Sequence, residues 1–233
     1  MIVEFPARLR GALFIPQGAG PHPGVVVIPD VWGLKPHYEQ VAQKLAGAGY
    51  AALAIDLYTR GESPEAHGPQ RVLAFIQALP DRQVLGDLQA AIDFLAAHPA
   101  VRGRSIGITG FCMGGMYALL AGCRCRGLSA AVAWYGMLRA AALDANKPEH
   151  VLDAIEDLCV PTLGLFGAED ALIPVDDVET LSARAARAGR SLEVVIYPGA
   201  GHAFNNDTRP DAFRPAASAD AWQRLFAHFA RHL

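Results

Sequence analysis

Charged residues are scarce in this sequence. Asp, Glu, Lys and Arg make up 18% of its 233 residues, where about a quarter is usual. The 20 basic and 23 acidic residues give a formal net charge of −3. Because the basic excess of a nucleic-acid-binding protein is missing, we expect no nucleic-acid partner. Hydrophobic residues make up 52% of the chain, enough to bury a sizeable core, which excludes intrinsic disorder.

Cysteines are also few, and no export signal is recognisable at the start. An acidic residue, Glu4, interrupts the first apolar residues, unlike in a signal peptide. We therefore predict a cytoplasmic protein whose four cysteines are free thiols. The longest uncharged stretch, residues 105–123, could span a bilayer by length alone. It contains five glycines and begins with a β-like run, which favours a strand, a turn and a helix and predicts no membrane association.

Apolar runs of strand length alternate with helical patterns from residue 24 onward. This alternation is typical of α/β layers around a mostly parallel sheet. No repeat or composition shift divides the chain, so we predict a single domain, 1–233, with about eight strands flanked by helices on both faces. Residues 138–150 are predicted to be a surface excursion. The predicted strands are a pair within 2–15, then 24–29, 50–56, 105–109, 129–135, 162–166 and 192–197; the predicted helices are 36–49, 69–79, 84–97, 113–123, 151–158, 175–188 and 216–233.

The turn between predicted strand 105–109 and predicted helix 113–123 has the sequence GFCMGG. It matches the G-x-nucleophile-x-G elbow, with Cys112 at the nucleophile position and the small residues Gly110 and Gly114 around it. A cysteine at a helix N-terminus is favoured as the thiolate. The alternative is a buried structural cysteine in a glycine-rich turn, although the phosphate-binding G-x-x-x-x-G-K-[ST] pattern is absent.

An elbow requires an acid and then a histidine later in the chain. Asp170 follows predicted strand 162–166, and His202 follows predicted strand 192–197. Both lie at strand ends, where open α/β sheets carry their chemistry. The imidazole would act as general base and acid, and the carboxylate would orient it. Glu169 is the rival acid.

Five segments together resemble the dienelactone hydrolase family. They are VIPDVWGL (27–34), GYAALAIDLY (49–58), GDLQAAI (86–92), GFCMGG (110–115) and GAGHAF (199–204). The resemblance extends over nearly the whole chain, and the cysteine elbow makes it specific, because most α/β-hydrolases use serine. It implies an α/β-hydrolase fold, with Cys112, Asp170 and His202 as a catalytic triad.

The resemblance also implies a carboxylate that accepts the thiol proton, at a position that is usually glutamate in the family and is Asp30 here. Asp30 is one methylene shorter, and the alternative is that it is only a turn residue. The general elbow scheme places the oxyanion hole at the backbone amides of Met113 and Val31.

Family members bind a substrate carboxylate with two arginines. Arg71 matches the first, and Phe75 matches the aromatic residue that follows it. The position of the second arginine holds Asn206, so Arg209 or Arg82 would have to replace it. The alternative is that these arginines are solvated surface residues.

We therefore predict a cysteine hydrolase that cleaves a small-molecule ester or lactone, of the carboxymethylenebutenolidase type. A broad-specificity carboxylesterase or thioesterase on the same triad is the first alternative, and a non-catalytic binding protein of the same fold is the second. No metal or organic cofactor is expected, since Cys123 and Cys125 lack a second ligand pair. Cys159 is predicted to be an inert core thiol. The oligomeric state stays open, a monomer included.

Overall fold

The computed structural model describes residues 1–61 and 71–233, and these form one eight-stranded sheet flanked by helices. The strand order is β1-β2-β4-β3-β5-β6-β7-β8. The strands are β1 (Ile2–Phe5), β2 (Leu9–Phe14), β3 (His22–Ile28), β4 (Ala51–Asp56), β5 (Val101–Phe111), β6 (Ala130–Trp134), β7 (Thr162–Gly167) and β8 (Leu192–Tyr197). The described helices are α1 (Pro36–Gly47), α2 (Val72–Ala78), α3 (Asp81–Ala97), α4 (Met113–Arg124), α5 (Val151–Ala154), α6 (Val175–Arg187) and α7 (Pro215–His232).

The sheet is antiparallel at one edge and parallel elsewhere. β1 pairs with β2 and β2 with β4 in antiparallel registers, whereas the six strands from β4 to β8 in sheet order run parallel. Parallel strands need long crossovers, and the helices between them provide these. All carboxyl ends of the parallel strands therefore meet at one edge of the sheet, where loops can bring distant side chains together.

Helices cover both faces because alternate residues of the central strands point to opposite sides. A Cβ added to Gly107 of β5 would meet Phe229 of α7 at 3.0 Å. One residue earlier, Ile106 pairs with Gly24 of β3, and a Cβ there would meet Leu95 of α3 at 3.6 Å. Helices α7 and α3 thus lie on opposite faces. The strands between them are apolar on both sides, as is typical of buried parallel strands.

The predicted α/β architecture, with a mostly parallel sheet, is confirmed, and most element boundaries agree within two or three residues. Strand β5 is longer than predicted, because it begins at Val101 rather than at residue 105. The first two residues of predicted helix 69–79 lie outside the described residues. The uncharged stretch 105–123 forms a strand and a helix, and no helix in the described ranges is long and apolar enough to cross a membrane.

The predicted surface excursion is only partly on the surface. Much of residues 139–146 is exposed, but Leu138 and Lys147 are buried. The sequence pattern failed here because a lysine is rarely buried unless it is paired. Lys147 is paired: its Nζ donates to the Leu79 carbonyl at 2.7 Å and to the Tyr117 hydroxyl at 2.8 Å.

Candidate active site

Cys112 occupies a sharp turn at the carboxyl edge of the sheet. It is the single residue between β5 and α4, and its φ of 56° and ψ of −116° lie in a region that non-glycine residues rarely adopt. Its amide donates to the Trp134 carbonyl of β6 at 3.0 Å, and its carbonyl accepts from the Met116 amide at 3.0 Å. These bonds hold the strained turn and leave the side chain half-buried at the N-terminus of α4.

Two glycines allow the turn to pack against its neighbours. A Cβ on Gly110 would lie 2.0 Å from the Gly114 carbonyl oxygen, and a Cβ on Gly114 would lie 2.4 Å from the carbonyl oxygens of Ile28 and Pro29. No real Cβ makes such contacts, so both positions require glycine. The close approach at Gly114 brings the first turn of α4 against the end of β3, directly before Asp30.

Asp170 and His202 meet in the loops that follow β7 and β8. His202 Nδ1 lies 2.8 Å from Asp170 Oδ2, and the Asp170 side chain is almost completely buried. The other oxygen, Oδ1, accepts from the Leu172 amide at 2.8 Å, which fixes the carboxylate. The rival acid Glu169 is exposed. The acid that contacts the histidine is therefore Asp170.

His202 also interacts with Cys112. Burial by itself lowers the pKa of His202, but hydrogen bonding with Asp170 and with Cys112 overcomes this and raises the pKa to about 10. Its Nε2 is buried without a partner that meets full hydrogen-bond geometry. We take the Cys112 interaction as a close but poorly aligned contact, as is common in enzymes before substrate binds. The Tyr135 ring packs edge-on against the imidazole, with ring centroids 5.2 Å apart.

Asp30 begins a tight loop after β3. Its Oδ1 accepts from the Trp32 amide at 2.9 Å, and its carbonyl accepts from the Gly33 amide at 3.0 Å. Burial raises the pKa of Asp30 despite the opposing effects of the Trp32 amide, of hydrogen bonding with Tyr38, and of Arg209 nearby. Asp30 is thus both a turn residue and a half-buried carboxylate with an increased proton affinity.

The amides of Val31 and Met113 lie on either side of this region. Val31 follows Asp30, and Met113 follows Cys112 as the first residue of α4. Across residues 1–61 and 71–233, no hydrogen bond from either amide to another group of the protein is present. The Tyr58 hydroxyl touches both residues: it donates to the Val31 carbonyl at 2.7 Å and lies 4.0 Å from Met113 Sδ.

The predicted substrate-binding residues differ in their environments. Phe75 packs edge-on against Tyr58, with ring centroids 5.4 Å apart, whereas Arg71, one turn earlier, is exposed. Arg209 is about half-exposed, and its charge acts on both Asp30 and Tyr135. Arg82 is exposed on the first turn of α3.

Asn206 lies where the family resemblance led us to expect a second arginine. Its side chain is buried, and its Oδ1 accepts from the Thr208 hydroxyl at 2.6 Å and from the Thr208 amide at 3.1 Å. Asn206 therefore shapes the loop that carries Arg209.

Sequence reasoning missed three tyrosines and a histidine around the site. Tyr38 and Tyr135 are buried beside Asp30 and His202, and Tyr58 contacts the loop after β3. His37 is buried and its Nδ1 lies 3.2 Å from Asp207 Oδ1. One signal was available for Tyr58, since it lies two residues beyond the end of β4. The others have no local pattern that distinguishes them from core or surface residues.

The remaining cysteines are free thiols in the structure, as is Cys112. Burial raises the pKa of Cys123 to about 12 and that of Cys125 to about 11, which favours the protonated thiol of both at neutral pH. The prediction that Cys159 is a core thiol is wrong: it is exposed, because it lies in the loop before β7 rather than within the strand. Within the described ranges, no group of three His, Cys, Asp or Glu side chains could hold a metal ion.

The strand order, the elbow and the loops after β7 and β8 define an α/β-hydrolase fold. A sequence profile of the dienelactone hydrolase family matches residues 9–233. The chain belongs to the dienelactone hydrolase family, and it is a hydrolase that acts on ester or lactone bonds.

Curated relatives and a solved structure agree with this assignment. A Yersinia pestis protein described as a carboxymethylenebutenolidase is 37% identical over 93% of this chain and 80% of its own length. A Bradyrhizobium protein described as a 2-oxo-3-(5-oxofuran-2-ylidene)propanoate lactonase is 36% identical over 94% of this chain and 87% of its own. The crystal structure of a Klebsiella pneumoniae protein described as a dienelactone hydrolase is 36% identical, has a TM-score of 0.94 and covers 100% of this chain and 98% of that one.

Proposed function

We propose that this protein hydrolyses an unsaturated lactone that carries a carboxylate, with Cys112 as nucleophile and His202 and Asp170 as its partners. The main support is the 2.8 Å hydrogen bond between His202 Nδ1 and Asp170 Oδ2, in a site where Cys112 also interacts with His202. The strained backbone of Cys112 is a second support, because such strain is typical of an elbow nucleophile.

The reaction would proceed in two halves. The Cys112 thiolate attacks the carbonyl carbon, the ester C–O bond breaks, and His202 donates a proton to the leaving oxygen. In the second half His202 takes a proton from water, the hydroxide attacks the thioester, and the C–S bond breaks to release the thiolate and a carboxylic acid, which loses its proton to the solvent. Asp170 holds the imidazole in the required orientation. The amides of Val31 and Met113 would bind the oxyanion in both halves.

Asp30 would act before the first half by taking the proton of the Cys112 thiol. Two features support this role. Burial raises the pKa of its carboxylate, so it is a better proton acceptor than an exposed aspartate. The hydrogen bond from the Trp32 amide holds it in place after β3, whose end packs against the turn that carries Cys112.

The substrate class comes from the names of the relatives and from the charges at the site. The described activities of the two relatives concern five-membered unsaturated lactones with an acidic side chain. Arg209 is an arginine whose charge acts on both Asp30 and Tyr135, and it would bind the substrate carboxylate. Arg71, directly before α2, and Phe75 within α2 would complete the site, and Phe75 contacts Tyr58.

Two assays and a matched pair of variants test this proposal. Wild type, Cys112→Ala and Cys159→Ala are assayed with a dienelactone and with p-nitrophenyl acetate. We expect Cys112→Ala to lose turnover of both substrates and Cys159→Ala, which removes an exposed thiol, to keep it. Turnover that survives in Cys112→Ala would overturn the nucleophile assignment. Turnover of the aryl ester alone by the wild type would replace the lactonase with the broad esterase or thioesterase.

We also propose that the protein works in the cytoplasm on a small-molecule substrate. The free state of all four cysteines suits a reducing compartment. Cell fractionation with an antibody to the protein tests this, and recovery outside the cytoplasmic fraction would contradict it.

A further inference from the structure

The Tyr58 hydroxyl contacts both residues whose amides would bind the oxyanion. It donates to the Val31 carbonyl at 2.7 Å and lies 4.0 Å from the Met113 sulfur. Tyr58 reaches this position from the turn after β4, where its own amide donates to Asp56 Oδ1 at 3.0 Å. A single side chain thus joins the loop after β3, the turn after β4 and the start of α4.

The Tyr58 ring is held on two sides. A Cβ added to Gly33 would lie 2.8 Å from Tyr58 Cδ2, so the ring packs directly on the backbone of the loop after β3. On another side the ring meets Phe75 edge-on, with centroids 5.4 Å apart. These contacts leave the hydroxyl little freedom, and its hydrogen bond to Val31 is correspondingly well defined.

The bond to Val31 controls the direction of a nearby amide. Turn hydrogen bonds fix the loop through the Trp32 and Gly33 amides, which both bond to Asp30. The Val31 carbonyl has Tyr58 as its hydrogen-bond donor instead. Since the two peptide groups of Val31 are joined through its Cα, fixing its carbonyl also restricts the orientation of its N–H.

We propose that Tyr58 is a positioning residue of the oxyanion hole, which holds the Val31 amide in the direction needed to bind the developing oxyanion. This inference rests on the proposed function and adds a residue to it. The hydroxyl can keep this role over a wide pH range, because burial raises the pKa of Tyr58 well above its usual value, with Asp30 and Cys112 adding to the rise. Tyr58 is therefore a permanent donor and not a proton acceptor.

Two reactions of Cys112 separate a role of Tyr58 in the oxyanion hole from an effect of Tyr58 on the reactivity of the thiol. Alkylation of Cys112 by iodoacetamide forms no tetrahedral oxyanion, whereas attack on an ester does. Loss of a whole oxyanion donor lowers kcat about 10²- to 10³-fold. Tyr58→Phe only loosens one donor, so we expect kcat to fall by roughly tenfold to a hundredfold, while KM and the alkylation rate stay close to those of the wild type.

Tyr197→Phe is the matched control. It also removes a partly buried tyrosine hydroxyl that donates a hydrogen bond, here to Asp220 of α7 at 2.8 Å. We expect its kcat to be unchanged. A second readout is the affinity for an aldehyde, which adds to the thiolate as a tetrahedral hemithioacetal. Tyr58→Phe should weaken the affinity for the aldehyde by the same factor by which it lowers kcat.

Each outcome has a separate meaning. An equal fall in alkylation and in hydrolysis by Tyr58→Phe would show a structural role and overturn the inference, as would an unchanged kcat. If Tyr58→Phe does not fold, Asp56→Ala, which removes the acceptor of the Tyr58 amide without touching the loop after β3, is subjected to the same comparison. Survival of turnover in Cys112→Ala overturns the proposed function itself, whatever Tyr58→Phe does.

Discussion

Lys147 Nζ lies 2.5 Å from Oδ1 of Asp81, with both side chains buried. The Tyr117 hydroxyl joins the pair: it donates to Asp81 at 2.9 Å and accepts from Lys147 at 2.8 Å. Lys147 lies in the segment after β6, Asp81 begins α3, and Tyr117 lies in the second turn of α4. The cluster therefore ties the predicted surface excursion to the helix that follows Cys112.

Lys147→Met should destabilise the protein strongly. It keeps an apolar stem of similar length but leaves the Asp81 carboxylate buried without its cation, and breaking one side of a buried pair costs about 3–5 kcal/mol. We expect the free energy of unfolding, measured in urea, to fall by that amount. Arg126→Met, which changes an exposed side chain, should stay within about 0.5 kcal/mol of the wild type.

The double variant Lys147→Met with Asp81→Leu refines this prediction. Replacing a whole buried pair by apolar residues is often close to neutral. The double variant should therefore recover much of the stability that Lys147→Met loses. A double variant as unstable as the sum of the two single variants would show that the charges themselves, and not the orphaned carboxylate, matter.

Cys112 should control the protonation of His202. Burial lowers the pKa of His202, but Asp170 and Cys112 raise it to about 10, above the ordinary 6.5. Cys112→Ser removes the thiol whose interaction raises the pKa of His202, so it should lower that pKa. NMR titration of its Cε1 proton measures this, with Cys159→Ser as the control. An unchanged midpoint in Cys112→Ser would contradict the proposed thiolate partner.

The same shift predicts how stability depends on pH. Because the folded-state pKa exceeds the ordinary value of 6.5, the folded protein holds an extra proton between pH 6.5 and about 10. The contribution of His202 is complete below 6.5 and is lost as the pH rises through this window, by at most about 1.4 kcal/mol per pH unit. The loss should be smaller in Cys112→Ser, as urea unfolding at several pH values would show.

Asp30 should affect the reactivity of the thiol and not only the loop geometry. Asp30→Asn keeps an oxygen that can accept from the Trp32 amide but cannot take a proton. We expect iodoacetamide alkylation of Cys112 and kcat/KM to fall by about a hundredfold or more, since a positioned general base typically contributes about 10²- to 10⁴-fold. Asp30→Glu, the family's usual residue, should retain most of the rate, and Glu169→Gln is the control at an exposed acid. Equal alkylation rates in wild type and Asp30→Asn would make Asp30 a turn residue only.

The site residues that could be predicted from the sequence are those that a short local sequence pattern marks. Cys112 lies in a glycine pattern, and Asp170 and His202 each follow an apolar strand in the order that the elbow requires. The confirmed fold class rests on the same alternation of strands and helices. Periodicity and turn chemistry act over a few residues, so a single sequence contains them.

The parts that were missed depend on contacts between distant residues. Tyr58 bonds to Val31, 27 positions away, and Lys147 bonds to Asp81, 66 positions away. A tyrosine in a loop, or a lysine between a strand and a helix, has the same local sequence whether it is solvated or buried. Only the assembled fold brings the distant chain segments together, and it thereby determines that Tyr58 and Lys147 are paired rather than solvated.

Arg209 should bind the carboxylate of the substrate. Its charge already acts on Asp30 and Tyr135, and about half of its side chain stays accessible. Arg209→Gln should raise KM for a carboxylate-bearing dienelactone about tenfold, since a hydrogen bond to a charged group contributes about 1.5–3 kcal/mol. The KM for p-nitrophenyl acetate, which has no carboxylate, should not change.

Arg71→Gln separates the two candidate arginines. Arg71 would approach from α2, next to Phe75, and the same increase in KM for the lactone is expected if both arginines contact the carboxylate. Arg187→Gln is the control, because Arg187 is exposed at the end of α6, about 20 Å along the helix from its site-facing start. If an arginine variant raised KM equally for the lactone and for the neutral ester, the arginine would not be recognising the carboxylate. An effect of Arg209→Gln without one of Arg71→Gln would leave Arg209 as the carboxylate's partner and explain how the chain tolerates asparagine at position 206.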